Sequence, residues 1–380
     1  MKRRLLRHLL VGLVIVCVGY GLWSRWDRHP PARNSGGLRL IETLSAGRDL
    51  GRGNLLGIQP YMIPADYANE SRFRAKLSSY LSAARARGFI GRRTVVVFPE
   101  YVGAWLVCAE EKQSVYLAKT TGAAIRTVVA SSLPSFLWQF VSSHMPDRTR
   151  SALFRMKANC MARIYQRTFS RLAKQYGITI VAGSVILPSP QVKDGAVIVG
   201  DGPLFNVCVL YGPDGRARAP IVRKAFPTRD ELRFIKPGDV DELPVFHTPA
   251  GRLGVLICAD SWYPSAYRRL KQKEAQAIAV PSYLYPTNAW KRPWPGYQGA
   301  AVPRDVDRAD VRRISEGQAW SKYALPGRME AAGAKAGLNV FLRGRLWDLG
   351  ADGQSVALLR GSRYACSRAD GAALLNVWLD

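Results

Sequence analysis

LGVLICADSWYP, residues 253–264, is the stretch from which the rest of the chain is read. Val255, Leu256 and Ile257 form a short apolar run, Cys258-Ala259-Asp260 follow at once, and Trp262, Tyr263 and Pro264 close the segment. A run of that length bounded by turn residues predicts a buried strand that delivers a thiol to a sharp turn. A free cysteine is commonly just a small buried apolar side chain, so this segment alone does not make Cys258 a nucleophile.

Two other segments share the build. TVVVFPE (94–100) runs β-prone residues into Pro99 and the Glu100 carboxylate, and PIVRK (220–224) carries Lys224 out of a short strand into the loop AFPTRDE. Taken singly, each has an ordinary reading: Glu100 as a solvated charge after a strand, Lys224 as one surface cation on a basic chain. Carboxylate, amine and thiol at three strand ends form a chemically meaningful set. Hydrolysis of an amide or nitrile needs a nucleophile, a proton carrier that serves first as base and then as acid, and a positive group where negative charge develops.

In the order Glu, Lys, Cys, with these flanks, the chain resembles the nitrilase superfamily of carbon–nitrogen hydrolases. The words that carry the likeness are VVVFPE (95–100), LAKQYGITIVAGS (172–184), FNVCVLYGPDGR (205–216), IVRKAFP (221–227), ELRFIKPGD (231–239), GRLGVLICADSWYP (251–264) and AIAVPS (277–282). It covers residues 54–285 well and the C-terminal part weakly. The resemblance implies an α/β fold, a four-layered α-β-β-α sandwich, two of which commonly pair into an extended α-β-β-α-α-β-β-α homodimer. It also implies a catalytic triad of Glu100, Lys224 and Cys258, with no metal or organic cofactor. A second glutamate downstream of the lysine is found in many members; Glu231 matches its position before Pro237-Gly238-Asp239, with adjacent Asp230 easily mistaken for it. Its ordinary reading is a surface acid paired with Arg229 or Arg233.

The remaining site candidates follow from position. The backbone N–H of Ala259, directly after the thiol, is the expected second donor to an oxyanion. Asp260 is expected to brace the turn by hydrogen bonding. Trp262 and Tyr263 either line a substrate pocket or fill core beside it, and Tyr101, next to Glu100, is expected as a pocket wall. His8, His29, His144 and His247 stand apart without ligand spacing, and the cysteines include no CxxC pair, which argues against a metal site.

The N-terminus is a separate unit. Lys2, Arg3, Arg4 and Arg7 precede an uncharged, Leu- and Val-rich stretch from Leu9 to Trp23. It reads as a cleaved signal or a single anchor. With Leu5 and Leu6 the stretch approaches the roughly 20 residues that span a bilayer, and no small-x-small cleavage site follows it, so residues 1–28 are expected to be an uncleaved transmembrane signal anchor. The positive head then places residues after Arg28 outside the cytoplasm, in the periplasm or its equivalent. An extracytoplasmic domain would permit a disulfide among Cys108, Cys160, Cys208 and Cys366, which spacing does not choose. Residues 29–53 read as a linker, beginning PPARNSGG at Pro30, and 54–380 as the hydrolase domain.

Within that domain, 55–59 and 94–98 predict strands flanking an amphipathic helix over 70–87, and 148–176 predicts a long helix. Further strands are expected at 178–181, 205–211, 221–223, 253–257 and 277–280, and Gly212-Pro213-Asp214-Gly215 is a hairpin turn. Tyr283 to Arg313, rich in Pro, Trp, Tyr and Arg, lacks periodicity and is either a specificity loop over the site or a surface insertion, the insertion counted as residues 286–315. A helix over 316–336 and strands at 338–343 and 356–359 complete the reading.

The 380 residues carry 55 Lys and Arg against 28 Asp and Glu, a net charge of +27. The basic residues are scattered and show no zinc-finger or RNA-binding signature, which argues against a nucleic-acid partner. The functional reading is a membrane-anchored amidase acting on a linear amide or carbamoyl amine through a cysteine thioester. Alternatives are N-acyl transfer from the same thioester and a catalytically silent binding module. CADSW around the thiol differs from the Cys-Trp-Glu type of true nitrilases.

Overall fold

Successive side chains of a strand point to opposite faces, and the segment around Leu55 uses both. Leu56 and Ile58 enter one apolar core with Val96 and Phe98, while Leu55 enters another with Val95 and Val97. A sheet apolar on both faces must be covered on both, here by helices on one side and a second sheet on the other. The computed structural model describes residues 2–31, 37–367 and 370–379.

In chain order the strands of the two main sheets are β1 (Leu40–Ala46), β2 (Asn54–Gln59), β3 (Thr94–Val97), β4 (Thr179–Pro188), β5 (Leu204–Tyr211), β6 (Ala217–Arg223), β7 (Val245–Thr248), β8 (Gly251–Val255), β9 (Ala277–Ser282), β10 (Ala336–Phe341), β11 (Val356–Leu359), β12 (Ser362–Ala365) and β13 (Ala372–Trp378). The seven-stranded sheet runs β1-β13-β2-β3-β4-β5-β6 and the six-stranded sheet β7-β8-β9-β10-β11-β12. Each has a parallel centre, β2-β3-β4 and β8-β9-β10, which demands crossover connections through helices. The helices used below are α1 (Lys2–Arg25), α2 (Glu70–Arg85), α3 (Thr121–Ala130), α4 (Leu133–Val141), α5 (Arg148–Tyr176), α6 (Pro264–Gln272) and α7 (Glu316–Tyr323).

Phe73 and Leu77 of α2 and Phe169 and Leu172 of α5 cover the outer face of the first sheet. Tyr267 and Leu270 of α6 and Trp320 and Tyr323 of α7 cover the second. The sheets approach closely between them: a Cβ on Gly57 would lie 2.9 Å from Val340. The result is the expected α-β-β-α sandwich. Helix α5 has the boundaries read from sequence, with Asp147 accepting the Arg150 N–H at its start and left-handed Gly177 at its end. The hairpin at 212–215 also forms, with the Gly212 N–H donating to Arg216 O.

Three expectations need correction. The linker over 29–53 contains edge strand β1, whose half-buried Leu40 and Leu44 alternate with exposed residues; it pairs in parallel with β13. Residues 32–36 of that linker lie outside the described residues. The helix expected over 316–336 ends at Tyr323, because Pro326 cannot continue an existing helix; a short turn at Leu325–Arg328 restarts and strand β10 begins at Ala336. The strand read as 178–181 extends to Pro188. Cys108, Cys160, Cys208 and Cys366 stand as free thiols.

Helix α1 is apolar on all sides, exposed, and long enough to cross a membrane. Its C-terminal end is tied to the domain. The Tyr20 hydroxyl donates to Ala130 O and accepts from the Leu133 N–H, and Lys112 Nζ donates to the carbonyls of Trp23 and Trp26.

Candidate active site

Glu100 sits in the loop that leaves β3, held against β4. The Phe98 N–H donates to Val181 O, and the Tyr101 N–H to Ser184 Oγ at 2.9 Å. Strand β4 bulges here between Val181 and Ser184, and Gly183 has φ +67°. A Cβ on Gly183 would lie 2.2 Å from Pro99 O, so the close passage beside Glu100 requires glycine.

Lys224 emerges at the end of β6. Its N–H donates to Asn206 O at 2.9 Å, so it stays paired to β5 while its side chain turns inward. Cys258 follows β8 in a single 3₁₀ turn, Cys258–Trp262, that runs into α6. Its φ of +47° is rare for a residue with a Cβ, and the strain is carried by the surrounding hydrogen bonds. Buried Asp260 accepts the Ile257 N–H at 3.0 Å and, from the lysine loop, the Phe226 N–H at 2.8 Å. One carboxylate thereby ties the thiol turn to the loop after Lys224. Burial raises its pKa to about 7.

Glu100, Lys224, Glu231 and Cys258 come together, all buried. Lys224 Nζ donates to Glu100 Oε1 at 2.8 Å and to Glu231 Oε2 at 2.7 Å. Asn206 Nδ2 donates to the same two carboxylates, at 2.9 and 3.0 Å. Glu231 also accepts the Thr228 N–H at 2.8 Å and the Tyr101 hydroxyl. The Cys258 thiol points at Tyr283 O, 3.8 Å away.

The electrostatics follow from burial and from who donates to whom. Burial raises Glu100, with Lys224 opposing and the Glu231 charge adding. For Glu231 burial also works upward, but Lys224 and the hydrogen bonds from Lys224, Tyr101 and Thr228 outweigh it and hold the carboxyl below its ordinary value. Burial works to lower Lys224, yet the two carboxylates keep its ammonium form well above the usual lysine range. Burial and the nearby Glu100 push the Cys258 thiol well up, against the pull of Lys224.

Glu231 therefore lies inside the cluster. The surface acid is Asp230, which accepts a two-point hydrogen bond from Arg150. Tyr101 lines the cavity and at the same time donates to Glu231. Ala259, Trp262 and Tyr263 line a second cavity that also reaches Cys258. Asn206 is not among the residues the sequence singles out, and Tyr283 enters there only as the first residue of the loop 283–313. Asn206 is a lone amide in the otherwise apolar LFNVCVL, and that mismatch is the signal that could have found it.

The cavity shared by Glu100, Lys224, Glu231 and Cys258 has a volume of about 260 Å³. Its other walls are mainly apolar, including Trp105, Ile125 and Phe154. Such an arrangement supplies a thiol, a carboxyl group able to exchange a proton with it, and a cation in a water-poor site.

Comparison with known proteins gives the family and the fold. The family described as carbon-nitrogen hydrolase matches residues 67–300, more than half of the 380-residue chain. A nitrilase of Pyrococcus abyssi is 34% identical over 113 residues, 30% of this chain and 37% of its own length. The omega-amidase NIT2 of Xenopus tropicalis is 28% identical over 120 residues, 30% of this chain and 39% of its own. The matched part thus spans about two fifths of the length of these relatives. Among solved structures, a mutant of the amidase from Nesterenkonia sp. AN1 in complex with acrylamide has a TM-score of 0.52 at 14% identity, covering 87% of this chain and 93% of that one. At that identity the likeness concerns the fold alone. With its family match, its α-β-β-α sandwich and its clustered Glu100, Lys224 and Cys258, the chain belongs to the carbon-nitrogen hydrolase family.

Proposed function

We propose that the protein hydrolyses the C–N bond of a linear amide or carbamoyl amine, not a peptide bond, through a thioester on Cys258. The observation that carries the reading is the convergence of Cys258, Glu100 and Lys224 on one buried cavity, with Lys224 held between two carboxylates.

Glu100 takes the thiol proton and Cys258 Sγ attacks the carbonyl carbon. Lys224 and the Ala259 N–H stabilise the oxyanion; in a dehydrated pocket a cation already in position costs no reorganisation as the charge forms. Glu100 passes its proton to the nitrogen, the C–N bond breaks, and the amine leaves a thioester behind. Glu100 then deprotonates water, whose oxygen attacks the thioester carbon, and the proton returns to the departing thiolate. Glu100 rather than Glu231 carries the proton because Glu231 is committed to four donors. Tyr101 and Asn206 position Glu231, and Glu231 positions Lys224.

The same reading places the domain at a membrane, with α1 as a single anchor, the basic head at Arg3, Arg4 and Arg7 in the cytoplasm and the domain outside. A homodimer of sandwiches is part of it and is tested by mass measurement in detergent.

The test is amine and ammonia release by the full chain in detergent, offered linear amides, carbamoyl amines and nitriles, beside Cys258→Ala. Release that vanishes in the variant supports the reading. An acyl group held on Cys258 and released only to an added amine would instead mean acyl transfer, and no adduct from any donor would mean a silent binding module.

A further inference from the structure

We infer that the substrate extends on both sides of the scissile bond: an N-substituted amide with an apolar acyl group in one chamber and a bulky, positively charged amine in the other. This rests on the hydrolase reading above. Cys258 stands where two cavities meet, with Thr228, Asp230, Tyr283 and Tyr285 lining both. The first, about 260 Å³, runs from the catalytic groups along Trp105, Ile125, Leu153 and Phe154. Walls of that kind reward hydrocarbon, at about fourfold in affinity per buried methylene.

The second chamber, about 460 Å³, has aromatic walls from Trp262, Tyr263, Trp294, Tyr297 and Trp320; its charged lining is Arg292, Asp230, which Arg150 already binds, and the carboxyl of Glu316. Burial raises that carboxyl to about 7, so a cation arriving beside it would favour its ionised form. The loop that closes this chamber is tied to itself, with the Trp294 N–H donating to Ile314 O and the Arg312 N–H to Trp294 O, both at 2.8 Å. A primary amide would leave this built chamber empty. The amine assignment follows from the product: an alkylamine leaves protonated, and a carboxylate with aromatic faces accommodates a cation where an apolar chamber does not. The step balances as before, with the thiol proton leaving on the amine and water supplying the hydroxyl of the acid.

The experiment compares kcat/KM of the full chain in detergent for acetamide, hexanamide, N-benzylhexanamide and N-(2-trimethylammonioethyl)hexanamide. The expected order rises along that series, by at least about tenfold from acetamide to hexanamide and again on N-substitution. Glu316→Gln is expected to reduce the preference for the cationic over the benzyl amide about tenfold. Cleavage of hexanamide with refusal of both N-substituted amides overturns the inference and leaves the hydrolase reading intact. A preference for the cationic amide unchanged in Glu316→Gln overturns the charge assignment. Turnover of no amide by the wild type, or turnover retained in Cys258→Ala, overturns the hydrolase reading itself.

An independent observation carries a second inference, which rests on the anchor reading. Helix α4 exposes Leu133, Leu137, Trp138 and Val141 on one face, Trp138 and Val141 at 73% and 74%, while Phe136 turns inward. Tyr20 binds both Ala130 O and the Leu133 N–H, so α4 starts level with Tyr20, about 8 Å below the end of α1. At that level α1 carries two neighbouring aromatics, Tyr20 and Trp23, with ring centroids 6.1 Å apart and planes tilted by 40°, as chains do at a bilayer interface. We infer that the α4 face is seated in the headgroup region of the bilayer that α1 crosses. A fluorescent amino acid is placed at position 14, 138 or 198 of the full chain in vesicles of phosphatidylcholine and phosphatidylglycerol containing brominated lipid. Quenching at 14 and 138 but not 198 is expected. Quenching at 14 alone overturns the α4 inference, including by a second copy covering that face, and no quenching at 14 overturns the anchor.

Discussion

Glu100 and Glu231 hold the same lysine between them, at 2.8 and 2.7 Å, and the same asparagine amide. They are nevertheless unequal, because Glu231 collects two further donors, the Thr228 N–H and the Tyr101 hydroxyl. Donors stabilise the ionised form, so the less supported carboxyl is the one that takes a proton. Burial therefore raises Glu100 while Glu231 is held down.

Glu100→Gln is expected to lower kcat by about 10² to 10⁴, the range for loss of a general base. Glu231→Gln keeps the base and is expected to lose less. Because the Glu231 charge raises Glu100, its removal lets Glu100 ionise at lower pH. The acid limb of kcat/KM, set in the wild type above the ordinary carboxylate range, is then expected to move to lower pH. A limb that stays put or moves up in Glu231→Gln would contradict the division of roles.

Asp260→Asn breaks the tie between the thiol turn and the lysine loop. An amide offers one acceptor oxygen where the carboxylate offers two, so the N–H of Phe226 or of Ile257 loses its partner, at a cost of about 1 to 3 kcal/mol. The pH signature is distinct. Burial lifts Asp260 from 3.8 to about 7, so between those values the folded protein holds a proton that the unfolded chain has released. Stability from this group is then fullest below the unfolded value and declines as pH rises through that window. Denaturant titrations at several pH values should show a lower stability and a flatter decline in the variant.

Gly183→Ala places a methyl 2.2 Å from Pro99 O at φ +67°. The loop carrying Glu100 must shift, and a displacement near 1 Å in a catalytic group is worth about 10² in rate. The expected result is a kcat loss of that order with the α-β-β-α fold retained, read from activity beside a circular dichroism melt. Unchanged kcat would show that the strand relaxes elsewhere.

Lys112→Met removes the ammonium that binds the Trp23 and Trp26 carbonyls at the end of α1. Faster trypsin cleavage at Arg25 and Arg28 in detergent is expected, with amide turnover unaltered. Equal cleavage rates would mean that the Tyr20 contacts, with the Arg28 guanidinium donating to the Glu110 and Ser131 carbonyls, suffice to hold the helix.

Much of this was legible because it is local. The runs before Glu100, Lys224 and Cys258 announce three strand ends, and Asp147 and Gly177 bound α5 through capping chemistry that sits in the chain beside it. The apolar length of α1 needs no partner to be recognised. Pro326, by contrast, lies among residues that pattern as one helix over 316–336, and its ring and missing N–H are what divide that stretch.

What the sequence determined by itself is nine of the thirteen main-sheet strands in their order, the helices α2 and α5, the three chemical groups delivered to strand ends, and the family resemblance those words carry. Tertiary structure decided the rest. Strand β1 exists because β13, more than 300 residues later, offers it hydrogen bonds. Glu231 turns inward and Asp230 outward because Lys224 and Arg150 wait on opposite sides of the turn. Asn206 gains its place only when β5 lies beside the Glu100 loop, and the two chambers at Cys258 are bounded by residues from all along the chain. Propensity and capping act within a few residues, whereas pairing, burial and charge act across space between residues the sequence keeps far apart.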